Sequence, residues 1–125
     1  MIDLKTSSPN AIYSEHCTRG ELAYQVDPDI GATVFYPRVT APGSGHDRLE
    51  WRISAGVGTV YATTAVQVRN ADPYNVALID LDEGFRMMSR VEDIPADAVT
   101  IGLRVKCRMH QPDGEDPPYP IFIPI

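Results

Sequence analysis

Gly56-Val-Gly-Thr-Val-Tyr61 opens the stretch that most narrows the possible folds of this chain, because a strict alternation to Arg69 follows two closely spaced glycines. Val60, Ala62, Thr64, Val66 and Val68 fall on one face of an extended segment, and Thr59, Tyr61, Thr63, Gln67 and Arg69 mostly on the other. Such a period of two specifies a half-buried β-strand. Gly56 and Gly58 just before it predict a bulge or a sharp bend, as in a strand wrapping a small barrel. Asn70-Ala-Asp-Pro73 ends the strand, and Tyr74 to Leu81 forms the next. This second strand is apolar on both faces, so it is either central or covered by a partner. Asp82-Glu-Gly84 predicts a hairpin turn with positive φ at the glycine, returning through Phe85 to Val91.

Beyond this hairpin, Ile94 to Val99 reads as a single helical turn. Ile101 to His110 alternates again, with Ile101, Leu103, Val105, Cys107 and Met109 inward and Arg104, Lys106, Arg108 and His110 outward. A proline-rich loop, Gln111 to Pro118, leads to a last strand, Tyr119 to Ile125, whose prolines confine it to an edge. Five strands with a helical turn between the third and fourth fit a Greek-key barrel of the OB type. Periodicity alone leaves other small barrels open.

The N-terminal part is less regular. Ser8-Pro9 marks a helix start, with serine as cap and proline at a position needing no donor, and the helix runs to Arg19 and stops at Gly20. Glu21 to Val26 and Thr33 to Tyr36 read as short strands joined by the turn Asp27-Pro-Asp-Ile-Gly31. Pro37 to Asp47 is loop and separates an N-terminal module from the main domain. No secretory h-region is visible at the start, and no apolar run reaches the roughly 20 residues that span a bilayer.

At 125 residues, the chain supports one ordinary core. Its 17 acidic residues against 11 basic give a net charge of -6, which disfavours nonspecific binding to nucleic-acid backbones. Two cysteines, Cys17 and Cys107, are too few for a disulfide framework, and a reduced, cytoplasmic setting is expected.

No catalytic constellation emerges. Cys107 lies in the apolar register of its strand, where a buried inert thiol is the ordinary case. His16 and Cys17 are neighbours on a helix, so their side chains diverge. Asp80, Asp82 and Glu83 surround a hairpin turn and read as solvated turn carboxylates. His46 and His110 read as exposed loop residues. Gly56-x-Gly58 lacks the following helix that would make it an anion-binding loop. The best candidate from residues alone is the basic stripe Arg104, Lys106 and Arg108, extended by Arg86 and Arg90. Guanidinium groups suit phosphates or the carboxylates of a partner, although a solvated strand face fits the same pattern. Trp51 and Tyr61, near the two-sided apolar strand, could supply an interface core.

Taken together, Phe35-Tyr-Pro-Arg38, Leu49-Glu-Trp51, Gly56-Val-Gly-Thr-Val-Tyr61, Val76-Ala-Leu-Ile-Asp-Leu-Asp-Glu-Gly84, Met87-Met-Ser-Arg90 and Ile101-Gly-Leu-Arg-Val105 resemble the acyl-CoA-associated OB-fold family, long carried as a domain of unknown function. The resemblance covers about residues 20 to 125. It implies an all-β fold: a five-stranded OB-fold barrel preceded by a short helix and a zinc-ribbon-like hairpin. The corresponding divisions are an N-terminal helix over residues 1–20, a ribbon over 21–48 and an OB domain over 49–125. It further implies a non-catalytic accessory subunit in a hetero-oligomer with a thiolase-like or hydratase acyl-CoA enzyme, where Arg38, Trp51, Tyr61, Arg86, Arg90, Arg104, Lys106 and Arg108 would face substrate or partner.

Such ribbons carry C-x-x-C-G, a Pro-Arg segment and then C-P-x-C-G. Here, the four ligand positions hold Asp27, Ile30, Ala41 and Ser44. Isoleucine and alanine cannot coordinate, and tetrahedral zinc needs about four ligands. The resemblance therefore implies a metal-free ribbon held by packing, with no cofactor of its own. Two other functions stand beside the accessory role: a single-stranded nucleic-acid binder, which would need a cationic groove with aromatic platforms, and a free-standing acyl-CoA binder or acyltransferase.

Overall fold

The computed structural model describes residues 8–125. The reading of the extreme N-terminus, residues 1–7, lies outside them. The described residues form one helix and eight strands that divide into two compact units. Residues up to Ala55 with Gln111–Tyr119 make the first; Gly56–His110 with Pro120–Ile125 make the second.

In the first unit, helix α1 (Pro9–Thr18) begins where expected: the Ser8 hydroxyl accepts from the Ala11 N–H, and Pro9 fills the first turn. It ends in a Schellman arrangement, with Gly20 N–H bonded to Cys17 C=O and Glu21 N–H to His16 C=O. Gly20 takes φ 78°, which a side chain would disfavour. Strand β1 (Ala23–Val26) is buried at every residue and lies between β2 (Thr33–Val34) and β3 (Glu50–Ile53), both antiparallel to it. The expected hairpin is thus a three-stranded sheet. Its added strand is the Leu49-Glu-Trp51 region, which the sequence reading places at the start of the OB domain.

The second unit is a five-stranded sheet in the order β6-β5-β4-β7-β8. Its strands are β4 (Val57–Val66), β5 (Tyr74–Leu81), β6 (Arg86–Ser89), β7 (Arg104–His110) and β8 (Tyr119–Pro124). A single 3-10 turn, Ala96–Ala98, sits between the third and fourth, as the sequence predicts. The two ends of the sheet meet at one parallel bridge, Val91 to Phe122, flanked by Glu92 N–H to Phe122 C=O and Phe122 N–H to Arg90 C=O. This is the OB arrangement with a seam of one residue pair, not a barrel closed along a full ladder. Val60, Ile79, Val105, Ile121 and Phe122 form the tightest part of the core.

Glycine decides two close approaches. A Cβ on Gly58 would lie 2.5 Å from the Asp80 carbonyl oxygen and 2.9 Å from the Ile79 side chain, so β4 and β5 could not keep their pairing. Gly56, at φ 76°, leaves room for the Cβ of Cys107. The Asp82-Glu83-Gly84 turn forms as predicted, with Gly84 at φ 104°.

Two expectations about facing fail. The ladder between β4 and β5 slips between Val60 and Ala62, leaving Tyr61 as an extra residue. Val60 points inward opposite Ile79, but beyond the bulge it is Thr63 and Ala65 that oppose the buried Ala77 and Asn75. Ala62, Thr64 and Val66 therefore face outward, opposite to the strict alternation. Ile101, assigned inward, is 72% exposed because the chain is still turning there and β7 starts only at Arg104.

Candidate functional site

The bulge creates the most distinctive surface of the second unit. Cross-strand pairs Val66–Tyr74, Thr64–Val76, Ala62–Leu78 and Leu78–Met88 share its outer face. Ala62, Thr64, Val76, Leu78 and Met88 line a shallow hollow of about 220 Å³. Met88 is 61% exposed and Tyr61 50%. The neighbouring Met87 is buried, so the Met-Met pair splits cleanly between core and surface. The two-sided apolar character of Tyr74–Leu81 thus has a structural explanation: one side fills the core and the other is open.

At the rim, the Arg86 guanidinium lies 3.4 Å from the Tyr61 ring centroid and forks onto Asp80 through Nε (2.5 Å) and Nη2 (3.2 Å). Register makes this possible, since Asp80 and Arg86 are directly opposed on β5 and β6. The hydrogen bond to Asp80 holds the Arg86 pKa above its ordinary value.

The basic stripe is present but internally neutralised. Arg104 gives bonds of 2.8 Å to each oxygen of Asp82 and one of 2.9 Å to the Thr59 hydroxyl. Arg108 bonds both oxygens of Asp93, at 2.9 and 3.4 Å, with Glu92 at 3.5 Å. Arg90 donates to Glu92 at 2.5 Å. The hydrogen bond from Arg104 holds Asp82 below the usual carboxylate range and Arg104 above its own. Asp80 and Asp82 are thus ion-pair partners, not merely solvated turn carboxylates. Lys106, exposed on the same strand, makes no ion pair among the described residues.

Arg38 and Trp51 belong to the first unit. The backbone of Arg38 is clamped to β1 by the buried Gln25 amide, which accepts from Arg38 N–H and donates to Arg38 C=O, both at 2.8 Å. Trp51 packs near the His16 ring, with centroids 5.9 Å apart. Cys17 is buried, and burial pushes its thiol pKa up.

The turns at Asp27–Gly31 and Ala41–Gly45 are each closed by backbone hydrogen bonds. Gly31 N–H bonds Asp27 C=O, Gly45 N–H bonds Ala41 C=O, and Ala41 N–H bonds His46 C=O. Contrary to the reading of His46 as an exposed loop residue, its side chain is only 10% exposed and lies 2.9 Å from Asp27 Oδ1. The ribbon is therefore held by a polar tie as well as by packing. Asp27, Asp29 and His46 bring their ligand-type atoms within 4.8 Å of one another. Neither Asp27–His46 nor the Asn75 network described below is visible in local sequence, because each joins residues distant in the chain.

The sheet order, the 3-10 turn and the parallel seam define an OB-fold protein with a small appended sheet. A family model for the ChsH2 C-terminal OB-fold domain matches residues 51–110. The chain is 35% identical over 69 residues to a DUF35 domain-containing scaffold protein of Methanocaldococcus jannaschii, a match spanning 50% of this chain and 49% of that protein. It thus spans about half the length of that curated relative. Among solved structures, one titled Ltp2-ChsH2(DUF35) aldolase is similar over 98% of both chains, with a TM-score of 0.82 and 25% identity. A DUF35 protein of unknown function from Sulfolobus solfataricus shares the fold at a TM-score of 0.64 and 13% identity, over 83% of this chain and 80% of that one. These matches, together with the fold, show a likeness to the OB-fold DUF35 proteins.

Proposed function

We propose that this protein is a non-catalytic accessory subunit that docks on a thiolase-like or hydratase enzyme of acyl-CoA metabolism and helps form its substrate site, in a cytoplasmic hetero-oligomer. The observation that carries the reading is the outer face of β4, β5 and β6. It joins exposed apolar side chains to a tyrosine and an arginine at its rim, the composition of an interface core. The likeness to a chain whose structure is titled as part of an aldolase, over nearly its whole length, supports an enzyme as the partner.

The ion pairs shift the emphasis within this reading. Arg86, Arg90, Arg104 and Arg108 already have carboxylate partners, so recruiting them to CoA phosphates means exchanging one anion for another. Docking through the apolar face is then the main contribution, and Lys106 and Arg38, each without an ion pair among the described residues, are separate candidates for a substrate phosphate. The same pairing removes the open cationic groove that single-stranded nucleic acid would need.

Co-expression with the thiolase-like or hydratase enzyme encoded beside it, followed by size-exclusion chromatography, tests the proposal. A stable complex is expected with wild type. Leu78→Asp should abolish it while leaving the thermal midpoint of the isolated subunit nearly unchanged. Failure of wild type to copurify with every such neighbour overturns the accessory role, and a Leu78→Asp variant that still binds overturns the assignment of the face.

A further inference from the structure

We infer that the knuckle of the first unit is closed by a proton-bearing clasp, His46 Nε2–H to Asp27, standing where a metal ion would otherwise join the two turns. The donor set does not fit a metal. Of the four ligand positions, Ile30 is 74% exposed and apolar, Ala41 is buried and apolar, and Ser44 is exposed. Only Asp27 directs a buried polar group to the junction, its side chain 4% exposed.

The alternative triad of Asp27, Asp29 and His46 is already committed. Asp29 is paired with Arg48 at 2.5 Å, and its N–H donates to Asp27 Oδ1 at 3.0 Å. The Arg48 backbone N–H donates to His46 Nδ1 at 3.1 Å. A backbone N–H can only donate, so Nδ1 holds its lone pair and the ring proton sits on Nε2. Nε2 then has no lone pair for a metal, whereas a metal-binding imidazole donates its other N–H to an acceptor. The groups facing His46 are the Asp27 and Asp29 carboxylates and, beyond them, the Arg48 guanidinium. Together with the three backbone bonds of the two turns, the clasp ties residues 19 positions apart.

Three measurements on the full-length protein test this. Protein purified from zinc-supplemented culture should carry far less than one equivalent of zinc, with the same thermal midpoint in EDTA as in added zinc. Near-stoichiometric metal, or a midpoint that falls on chelation, overturns the inference. Histidine side-chain nitrogen NMR of wild type should show His46 with Nε2 protonated and Nδ1 bare; the opposite tautomer overturns it. His46→Ala should lower the midpoint by about 3–6 °C, the scale of one lost hydrogen bond in a domain of this size. His46→Gln, whose amide can still donate to Asp27, should recover most of that loss. Equal loss in both variants, or none in either, refutes the clasp. If His46→Ala does not fold, the wild-type tautomer and metal content decide.

Discussion

The first unit and the second solve the same problem, holding a small sheet together, by different means. The second buries a continuous apolar core in which Val60, Ile79, Val105, Ile121 and Phe122 are at most 1% exposed. The first buries a smaller apolar set, Ile12, Leu22, Tyr24 and Val26 among it, and adds two glycine turns and polar ties: Gln25 on the Arg38 backbone, and Asp27 on His46. An apolar core tolerates exchange among residues of similar volume, whereas a polar tie requires a particular donor and acceptor. The second unit should therefore respond to lost volume and the first to lost hydrogen bonds and to pH.

The sharpest way to break this contrast is Phe122→Ala. Phe122 is fully buried at the seam, and its truncation should cost about 3–5 kcal/mol in urea denaturation. A loss under about 1 kcal/mol would mean the seam is loosely packed. Next comes Gly58→Ala, which puts a methyl group 2.5 Å from the Asp80 carbonyl; overpacking of this kind should cost about 1–3 kcal/mol and alter amide exchange along β4 and β5.

Asn75→Leu probes the exception within the second unit. The buried Asn75 side chain accepts from Val91 N–H and donates to the Thr63 hydroxyl and the Thr64 carbonyl. Leucine keeps the volume and strands the Val91 N–H, for a loss of about 1–3 kcal/mol. A neutral result would show that volume alone governs this core.

The smallest and most diagnostic effect is on acid stability. Burial acts to raise the Asp27 pKa, but the hydrogen bonds from His46 and the Asp29 N–H, with the nearby charges, bring it below the ordinary value. Its unfolded state thus binds a proton more readily than its folded state, so stability rises with pH across that interval. The contribution is present above the unfolded pKa of about 3.9 and is lost as pH falls through the lower folded value. Asp27→Asn should flatten the acid limb of a midpoint-against-pH curve; an unchanged limb would leave Glu21 and Asp82, whose pKa values are also lowered, as its source.

Much of the second unit, and the helix of the first, was legible from residue order. The strands, the Asp82-Glu83-Gly84 turn, the 3-10 turn and the capping of α1 each depend on residues within a few positions of one another. The outer apolar face was legible only in part. The double-sided pattern of Tyr74–Leu81 announced it on β5, but on β4 strict alternation put Ala62, Thr64 and Val66 on the same face as Val60. One inserted residue at Tyr61 reverses them, and alternation carries no sign of where a bulge falls. The basic stripe could be read as a row of residues, but its ion pairs could not, because the partner carboxylates come from the turn after β5 and the segment after β6. Arg104 meets Asp82 from 22 residues away and Arg108 meets Asp93 from 15.

By itself, the order of residues determined where strands, turns and the helix form, because backbone conformation responds to neighbours at periods of two and 3.6. Only the tertiary structure decided which side of β4 meets water, which carboxylate each arginine takes, and that His46 reaches Asp27. Those outcomes depend on strand register and on the approach of segments far apart in the chain, and no local period records them.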